Sequence, residues 1–449
     1  MIDSATSTSS VAPRSGTPLP DSGHCPQHQR PLRVAILCDA VPGRNGVGAY
    51  YTDLCDQFEA RGLRTLLLHP KSPKAGGYRY LSAPLPGDNT QRISMPRPLR
   101  LWRAVTRFRP DVLVTPTPGP FGLSAVSISG RLGIPLVTGF HTHYEALAEI
   151  YWHNWWGNVS RWYLTRCNHY MFDHSELVLA NSPEMIEQAR HFRAGDKVRL
   201  MGTSVPAELI DRPVAPLHRQ PRRILFAGRL ADEKNLPAII DAARRHPDLR
   251  FTIAGDGPLM RWTRAQAAAL PNLTVPGWIA RDQLINAIDG HDVLLLPSKV
   301  ESFGTVALEG MARGRLVMVS ETCGIATWPE LEGTLHVIRR DESASDSLSR
   351  LCAADADSRL MMASTARDAA CALNRWNIDN WIARLEAVSK HHAGSLATLV
   401  ETGIENLAVR EPHRPARVTA TATATTTSSH ASSPTRETGR LHEAELDDA

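Results

Sequence analysis

Along most of this chain, short aliphatic runs alternate with longer stretches in which apolar positions recur every three or four residues. RVAILCD, RTLLLHP, DVLVTPT, PLVTGFH and LVLANS form a first set of runs, with VRLM as a weaker sixth. RRILFAG, FTIAGDG, LTVPGW, DVLLLP, RLVMVS and TLHVIR form a second set. Near-continuous Val/Ile/Leu runs separated by helical patterns predict parallel strands covered by helices on both faces. Between the sets lies PAELIDRPVAPLHRQP, a polar stretch rich in proline. The pattern predicts an α/β chain of two Rossmann-like domains facing a cleft, at 32–205 and 222–375, with a linker at 206–221. A helical stretch at 376–410 would then cross back to the first domain. In such open sheets ligands sit beyond the carboxyl ends of the strands. The two halves share architecture and no sequence repeat.

Both ends depart from this pattern. Residues 1–31 are rich in Ser, Pro and Thr, and 411–449 includes ARVTATATATTTSSHASSPTR. With so few large apolar side chains neither can offset the entropy of folding, so both are expected to be disordered tails.

Composition narrows the class. At 449 residues, with 42% hydrophobic and 21% charged, the chain can bury a core in each of two domains. The net charge is only +4, from 50 Lys and Arg against 46 Asp and Glu, which argues against a nucleic-acid binder. Seven scattered cysteines without a CxxC pair give no zinc site or disulfide framework and suit a reducing cytoplasm. The opening residues lack the apolar core of a signal peptide. No apolar run approaches the roughly 20 residues a spanning helix needs.

Chemistry concentrates after three strands of the second set. RRILFAG runs through Gly228 into GRLADEKNL, which places Arg229 and Lys234 just past a strand end. FTIAGDG turns through Gly255 and Gly257, where a ligand can approach the backbone. DVLLLP leads into SKVESFGTVALEGMARG, in which Ser302, Phe303, Gly304 and Thr305 would open a helix whose first N–H groups face an anion. Glu301 stands at that helix entrance, and Glu309 follows about two turns along the same side. Two cations and a helix N-terminus make a diphosphate site, and the two carboxylates can accept hydrogen bonds from hydroxyl-rich groups. Taken singly, each piece is as well explained by a surface turn or a solvated carboxylate pair. Their order after successive strands points to one site.

GRLADEKN, AGDGP, VPGWIARDQL and ESFGTVALEGMARG closely resemble the carboxyl half of the family 4 glycosyltransferases, which have the GT-B fold. The resemblance runs over roughly 33–390 and is most specific over 222–320. It implies that Arg229 and Lys234 bind the donor diphosphate and that Glu309 holds the ribose. It further implies that Glu301 contacts the donor sugar, that the amides of Phe303 to Val306 surround it, and that the segment at Gly277 and Trp278 borders the base. In the amino half, RVAILCDAVPGRNGVGAY resembles the family's first strand and glycine loop, and Gly46 is the position that transfers. FHTHYEA is similar to its histidine loop, which gives His141, and less directly His143, as the group reaching the donor sugar. Two departures stand out: Arg315–Leu316 where a small residue and proline are usual, and Cys323–Gly324–Ile325 where paired glycines are usual.

The implied reaction is retaining hexosyl transfer from a nucleoside-diphosphate sugar, GDP-mannose or a UDP-hexose, with no metal and no other cofactor. The lone Asp-x-Asp, Asp355 and Asp357, reads as exposed surface. PRPLRLWRAVTRFRP predicts a basic amphipathic helix over 97–109, with Arg100, Arg103 and Arg107 opposite Leu101, Val105 and Phe108. It is either a crossover helix of the first domain or a peripheral contact with the inner face of an anionic membrane. AEIYWHNWWGNVSRWYL carries Tyr151, Trp152, Trp155, Trp156, Trp162 and Tyr163, and resembles glycolipid-forming mannosyl and sulfoquinovosyl transferases. A glycolipid or polysaccharide precursor is the expected acceptor. The alternatives are an epimerase, hydrolase or phosphorylase on the same fold, or a sugar-nucleotide-binding protein without catalysis.

Overall fold

The computed structural model describes residues 30–42, 46–71, 82–85, 88–142 and 155–401. Chain order gives strands β1 (Arg33–Leu37) and β2 (Arg64–Leu68), an antiparallel hairpin β3 (Ser82–Leu85) and β4 (Asp88–Ser94), then β5 (Val112–Thr115), β6 (Leu136–Phe140), β7 (Leu177–Ala180) and β8 (Val198–Leu200). The second half supplies β9 (Arg223–Ala227), β10 (Arg250–Ala254), β11 (Leu273–Gly277), β12 (Val293–Leu296), β13 (Leu316–Ser320) and β14 (His336–Ile338). They form two six-stranded parallel sheets, ordered β2-β1-β5-β6-β7-β8 and β11-β10-β9-β12-β13-β14. The expected pair of Rossmann-like sheets is present; the hairpin is an addition that the apolar pattern did not announce.

Period-two alternation explains why the apolar runs are unbroken. On β1, Ala35 and Leu37 enter one apolar cluster, while Val34 and Ile36 enter another on the opposite face. The first cluster includes Leu101 and Val105 of helix α2 (Pro98–Phe108), Phe121 and Ala125 of helix α3 (Pro120–Leu132), and Phe172 of helix α4 (Trp155–Asp173). The second includes Tyr50, Tyr51, Leu54 and Phe58 of helix α1 (Gly46–Ala60). Buried on both faces, such a strand admits a polar side chain only with an internal partner, as on β5, where Thr115 donates to the Leu37 carbonyl at 2.9 Å.

The two sheets share a fastening that sequence comparison of the halves does not reveal. Asp111, just before β5, accepts from the Arg33 amide at 2.9 Å, and its own amide donates to the Arg33 carbonyl at 2.8 Å. Asp292, just before β12, accepts from the amides of Arg222 and Arg223 at 2.8 and 3.0 Å and donates to the Arg223 carbonyl at 2.9 Å. In each half a carboxylate thus registers the first strand against its central neighbour.

The stretch at 206–221 is tied down, contrary to its polar composition. Helix α5 (Pro183–His191) and β8 end the first sheet, and helix α6 (Ala207–Asp211) begins the connection. The fully buried Arg313 donates to the carbonyls of Leu209, Arg212 and Pro213 at 2.9, 2.7 and 2.6 Å. It also grips both oxygens of Asp289 at 2.8 Å. The equally buried Arg315 donates to the carbonyls of Ala215 and Pro216. The arginine found where the family has a small residue therefore holds this stretch against the second sheet.

Helices α7 (Leu236–Arg245), α8 (Met260–Ala267), α9 (Arg281–Asp289), α10 (Thr305–Ala312) and α11 (Ala344–Ala353) cover the second sheet. Helix α12 runs unbroken over Ala356–Glu401, so the expected boundary at 375/376 falls inside one helix. Asp355 opens it by accepting from the Ser358 amide at 2.9 Å, and Asp357 pairs with Arg219. Ala363, Ala366, Ala370 and Leu373 lie in the second-domain core, whereas Ile378, Trp381 and Leu385 lie in the first. Trp381 is fully buried, and its indole N–H donates to the Tyr50 hydroxyl at 2.8 Å. Within the unit that extends to Ser395, the helix joins both cores. The expected disordered tails, apart from Arg30 and Pro31, fall outside the described residues.

Removing the Trp381 side chain leaves a cavity between α1 and α12 and takes from the Tyr50 hydroxyl its indole donor, leaving it the Gly202 carbonyl at 3.4 Å. Trp381→Ala is expected to destabilise the protein by about 3–5 kcal/mol, read as a lower urea midpoint in unfolding followed by circular dichroism.

Candidate functional site

In the second sheet the strand order reverses between β9 and β12, and in the first between β1 and β5. At such a reversal the flanking loops diverge and leave a crevice beyond the strand ends. Gly228 and Arg229 follow β9, and Glu301 and Ser302 follow β12. The fold therefore brings together residues about seventy positions apart at one point.

The floor of the crevice is backbone. The Gly228 amide donates to the Ala254 carbonyl at 3.0 Å, and the Gly255 amide to the Gly277 carbonyl at 2.8 Å. Gly255 has φ +143°, and a Cβ there would lie 1.8 Å from the Gly228 carbonyl oxygen, so a side chain has no room. At Gly257 a Cβ would press on the Leu230 backbone at 2.5 Å. Trp278, next to Gly277, is 57% exposed at the rim.

Charge lines the crevice in pairs. Lys234 closes a 3₁₀ turn at Asp232–Lys234, and its ammonium is hydrogen-bonded to the Glu301 carboxylate. Burial alone would pull the Lys234 pKa down. The Glu301 charge and hydrogen bond, with Glu233 nearby, outweigh that and hold the ammonium above its ordinary range. Arg229 donates to Glu233 at 3.1 Å. Glu301 is held by its backbone: its carbonyl accepts from Gly324 at 2.9 Å, and it forms an isolated parallel bridge with Cys323. A Cβ on Gly324 would lie 2.0 Å from the Ser302 carbonyl, so the one glycine kept in that turn is required.

Glu301 lies ahead of helix α10, not on it. The helix starts at Thr305 after Gly304, whose φ of +99° makes it a left-handed N-cap. The Ala307 amide donates to the Gly304 carbonyl at 2.9 Å, and the helix N-terminus presents positive potential to an anion. Phe303 turns its ring inward, buried against Trp328 at 5.9 Å between centroids, so it offers the crevice only backbone. Glu309 sits one turn into α10 and is buried. Burial raises its pKa, opposed by the Arg281 guanidinium, which donates to it at 3.2 Å.

Arg281 reaches further, pairing also with Asp53 on α1 of the first domain. Asp53 is pushed up to about 7 by burial, against the lowering effect of Arg281, and the nearby Glu309 adds to the rise. The apolar pattern did not single out this carboxylate–guanidinium–carboxylate bridge. A signal existed: a cation at the first position of α9 is disfavoured by the helix dipole unless an anion answers it.

From the first domain, His141 follows β6 and lies against the same loop: its carbonyl oxygen accepts from the Ser302 hydroxyl at 2.5 Å. Burial lowers its pKa to about 4, so the ring is neutral at physiological pH. The His141 Nε2 lies 2.8 Å from the Tyr51 hydroxyl, a partner that sequence reasoning missed. Gly46 opens α1, and the residues just before it lie outside the described part, as do His143, Tyr151 and Trp152. Trp162 and Tyr163 are exposed on α4, and the side chains of Trp155 and Trp156 are outside the described set. The basic helix appears as α2, with Leu101 and Val105 buried and Arg100, Arg103 and Arg107 outward. Among the described residues no helix is long and apolar enough to cross a membrane.

Asp53 predicts a specific pH dependence. Its pKa rises from 3.8 to about 7 on folding, so the folded state binds more protons between these values. The stability difference between wild type and Asp53→Asn should shift against wild type as pH rises from about 4 to about 7 and level off above. Urea titrations across that range measure it.

Comparison with known proteins gives the same architecture a family. A model described as Glycosyltransferase Family 4 matches residues 44–209, and one described as Glycosyl transferases group 1 matches residues 209–368. The chain is 26% identical over 255 residues to a sulfoquinovosyl transferase of Arabidopsis thaliana, an alignment covering 54% of this chain and 49% of that protein. It is 25% identical over 314 residues to a GDP-mannose-dependent alpha-mannosyltransferase of Mycobacterium tuberculosis, covering 65% of this chain and 80% of that one. The chain thus spans about half the length of the first of these relatives. In three dimensions it is similar to sucrose-phosphate synthase from Thermosynechococcus elongatus, with a TM-score of 0.58 at 16% identity over 83% of this chain and 100% of the other. With the two matches running end to end over 44–368 and two parallel sheets meeting at a cleft, the chain belongs to the family 4 glycosyltransferases of the GT-B fold.

Proposed function

We propose that the protein is a retaining, metal-independent hexosyltransferase that uses a nucleoside-diphosphate sugar, GDP-mannose or a UDP-hexose, and a glycolipid or related hydroxyl acceptor. The observation that carries this reading is the set of paired charges at the strand reversal: Lys234 with Glu301 and Arg281 with Glu309, beside the N-terminus of α10. Departure of a nucleoside diphosphate leaves negative charge on phosphate and positive charge on the sugar. Arg229, Lys234 and the N-terminus of α10 supply fixed positive potential on the phosphate side, as a metal ion does in other enzymes. Glu301 sustains the charge on Lys234, so that this cation is present at any physiological pH.

In this reading the Gly46 end of α1 and the close-packed backbone at Gly228 and Gly257 admit the diphosphate, and Trp278 borders the base. Glu309 accepts from the ribose hydroxyls. Glu301, Ser302, the backbone from Phe303 through Gly304 and Thr305 to Val306, and His141 surround the hexose. The acceptor attacks from the leaving-group face, and the departing phosphate takes its proton, so Glu301 positions the sugar without forming a bond to it. The sugars named for the Arabidopsis and Mycobacterium relatives support a hexose donor and, for the latter, GDP-mannose.

The outward arginines of α2, with Leu99 at 72% and Met95 at 53% exposure beside them, support peripheral contact with the inner face of an anionic membrane. Each such arginine contributes about 1 kcal/mol at the surface. Exchanging Arg100, Arg103 and Arg107 for Ala should therefore cut binding to phosphatidylglycerol-containing vesicles by about a hundred-fold, measured by co-sedimentation.

The activity itself is tested by incubating the protein with each sugar nucleotide, with and without membrane lipid. Nucleoside diphosphate release that depends on lipid, with a hexosylated product by mass spectrometry, is the expected outcome; equal release without lipid would indicate hydrolysis. Lys234→Ala and Glu309→Ala should each lower the transfer rate by about 10²–10³, and an unchanged rate in both would refute the assigned site.

A further inference from the structure

Tyr51 lies on the buried face of α1, one helical residue from Tyr50, and its hydroxyl approaches His141 Nε2 at 2.8 Å. The tyrosine ring is enclosed and the imidazole half-buried. Tyr51 is fully buried and packs edge-on against His141 and Trp381, with centroids 5.4 and 6.3 Å apart. Tyr50 covers the His141 ring at 5.2 Å. β6 leaves room for the contact by carrying no side chain at Gly139. A Cβ there would lie 2.2 Å from the Tyr51 oxygen and 2.7 and 3.1 Å from His141 Nε2 and Cδ2. The Nε2–Cδ2 edge of the imidazole therefore faces the strand and Tyr51, and Nδ1, the atom across the ring from that edge, faces away.

We infer that Tyr51 is a positioning residue for transfer: its O–H donates to His141 Nε2, which keeps the imidazole proton on Nδ1 and turns an N–H donor toward the cleft. The inference rests on the reading of His141 as a group that meets the donor sugar. Proton accounting fixes the direction of the bond. A phenol has one proton to donate, and among the described residues Nε2 is the acceptor within its reach. Were Nε2 to carry the imidazole proton, that N–H would donate to the tyrosine oxygen. The phenolic proton would then be buried without an acceptor among the described residues, a cost that the opposite arrangement avoids.

The choice matters because the ring is neutral, so its hydrogen-bonding polarity is a question of tautomer and not of charge. A hexose hydroxyl that accepts from Nδ1–H keeps its own proton for a carboxylate such as Glu301. The other tautomer would present a lone pair and consume that proton. Tyr51 thereby selects which hydroxyl arrangement the first domain accepts, without touching the sugar. The Ser302 hydroxyl on the His141 carbonyl holds the same residue from the second domain, so ring and backbone are fixed from opposite sides of the cleft.

The test uses the full-length protein labelled with ¹⁵N-histidine and two-bond ¹H–¹⁵N correlation spectra near neutral pH. With 18 histidines in the chain, the His141 signal is identified by its loss in His141→Gln. Wild type is expected to show His141 protonated on Nδ1, with Nε2 shifted by an accepted hydrogen bond. In Tyr51→Phe the Nε2 shift is lost and the tautomers mix, while transfer kcat/KM falls about ten-fold. A purely structural tyrosine would leave the tautomer unmoved. A proton on Nε2 in wild type, or an unchanged pattern in Tyr51→Phe, overturns the inference. If His141→Gln transfers at the wild-type rate, the reading of His141 as a sugar contact fails instead, and the spectra still decide the tautomer.

Discussion

The arrangement of the second domain depends on one buried cation. The Arg313 guanidinium is fully enclosed, and such a group is tolerated only when each donor has an acceptor. It finds both oxygens of Asp289 at the end of α9 and three carbonyls of the connecting stretch. Because its amide also caps the end of α10 by donating to the Glu309 carbonyl at 3.1 Å, the helix that carries Glu309 is anchored at its C-terminus. α9 and α10 are linked twice, by Arg313 with Asp289 at their ends and by Arg281 with Glu309 nearer the cleft. The orientation of the crevice follows from these links.

Within the crevice, charges are held in mutual compensation. Lys234 with Glu301, Arg229 with Glu233, and Arg281 with both Glu309 and Asp53 leave few charges unanswered among the described residues. In the proposed role, an anion or a hydroxyl-rich ligand would exchange partners with groups that are already ordered, which limits the reorganisation that binding requires. The Asp53 contact extends this order across the cleft, because Asp53 belongs to the first domain and Arg281 to the second.

Much of this was legible in the sequence, for identifiable reasons. Strands buried on both faces are mostly apolar, so the central parallel strands stood out as aliphatic runs, while the edge strand β8, with Arg199 exposed, did so only weakly. The meeting of Lys234 with Glu301 was legible because each follows the end of one of the two neighbouring strands at the reversal, β9 and β12. The connection at 206–221 misled, since prolines and polar residues suggest a free linker, and the arginines that pin its carbonyls come about a hundred residues later. Tyr51 and Asp53 escaped for a related reason, since what distinguishes each is a partner on another element, and Arg281 left only the trace of a cation at a helix start. The hairpin at β3 and β4 has neither an unbroken apolar run nor a place in either large sheet.

The tethered connection has a mechanical consequence. With 209–216 bound to the second sheet, the chain is free to bend only upstream, where it leaves the first core at Met201 and enters the second at Val205. The return passage along α12 lies between Leu373 and Ile378. These two passages touch: Val205 donates to the Asn374 side chain at 2.8 Å, and Gln57 on α1 binds both Val205 and Asn374. The covalent passages between the two cores thus lie side by side, fastened to each other and to α1 by one set of hydrogen bonds. Glu309 and His141, on opposite halves, therefore owe their separation to a single place in the chain where both connections cross.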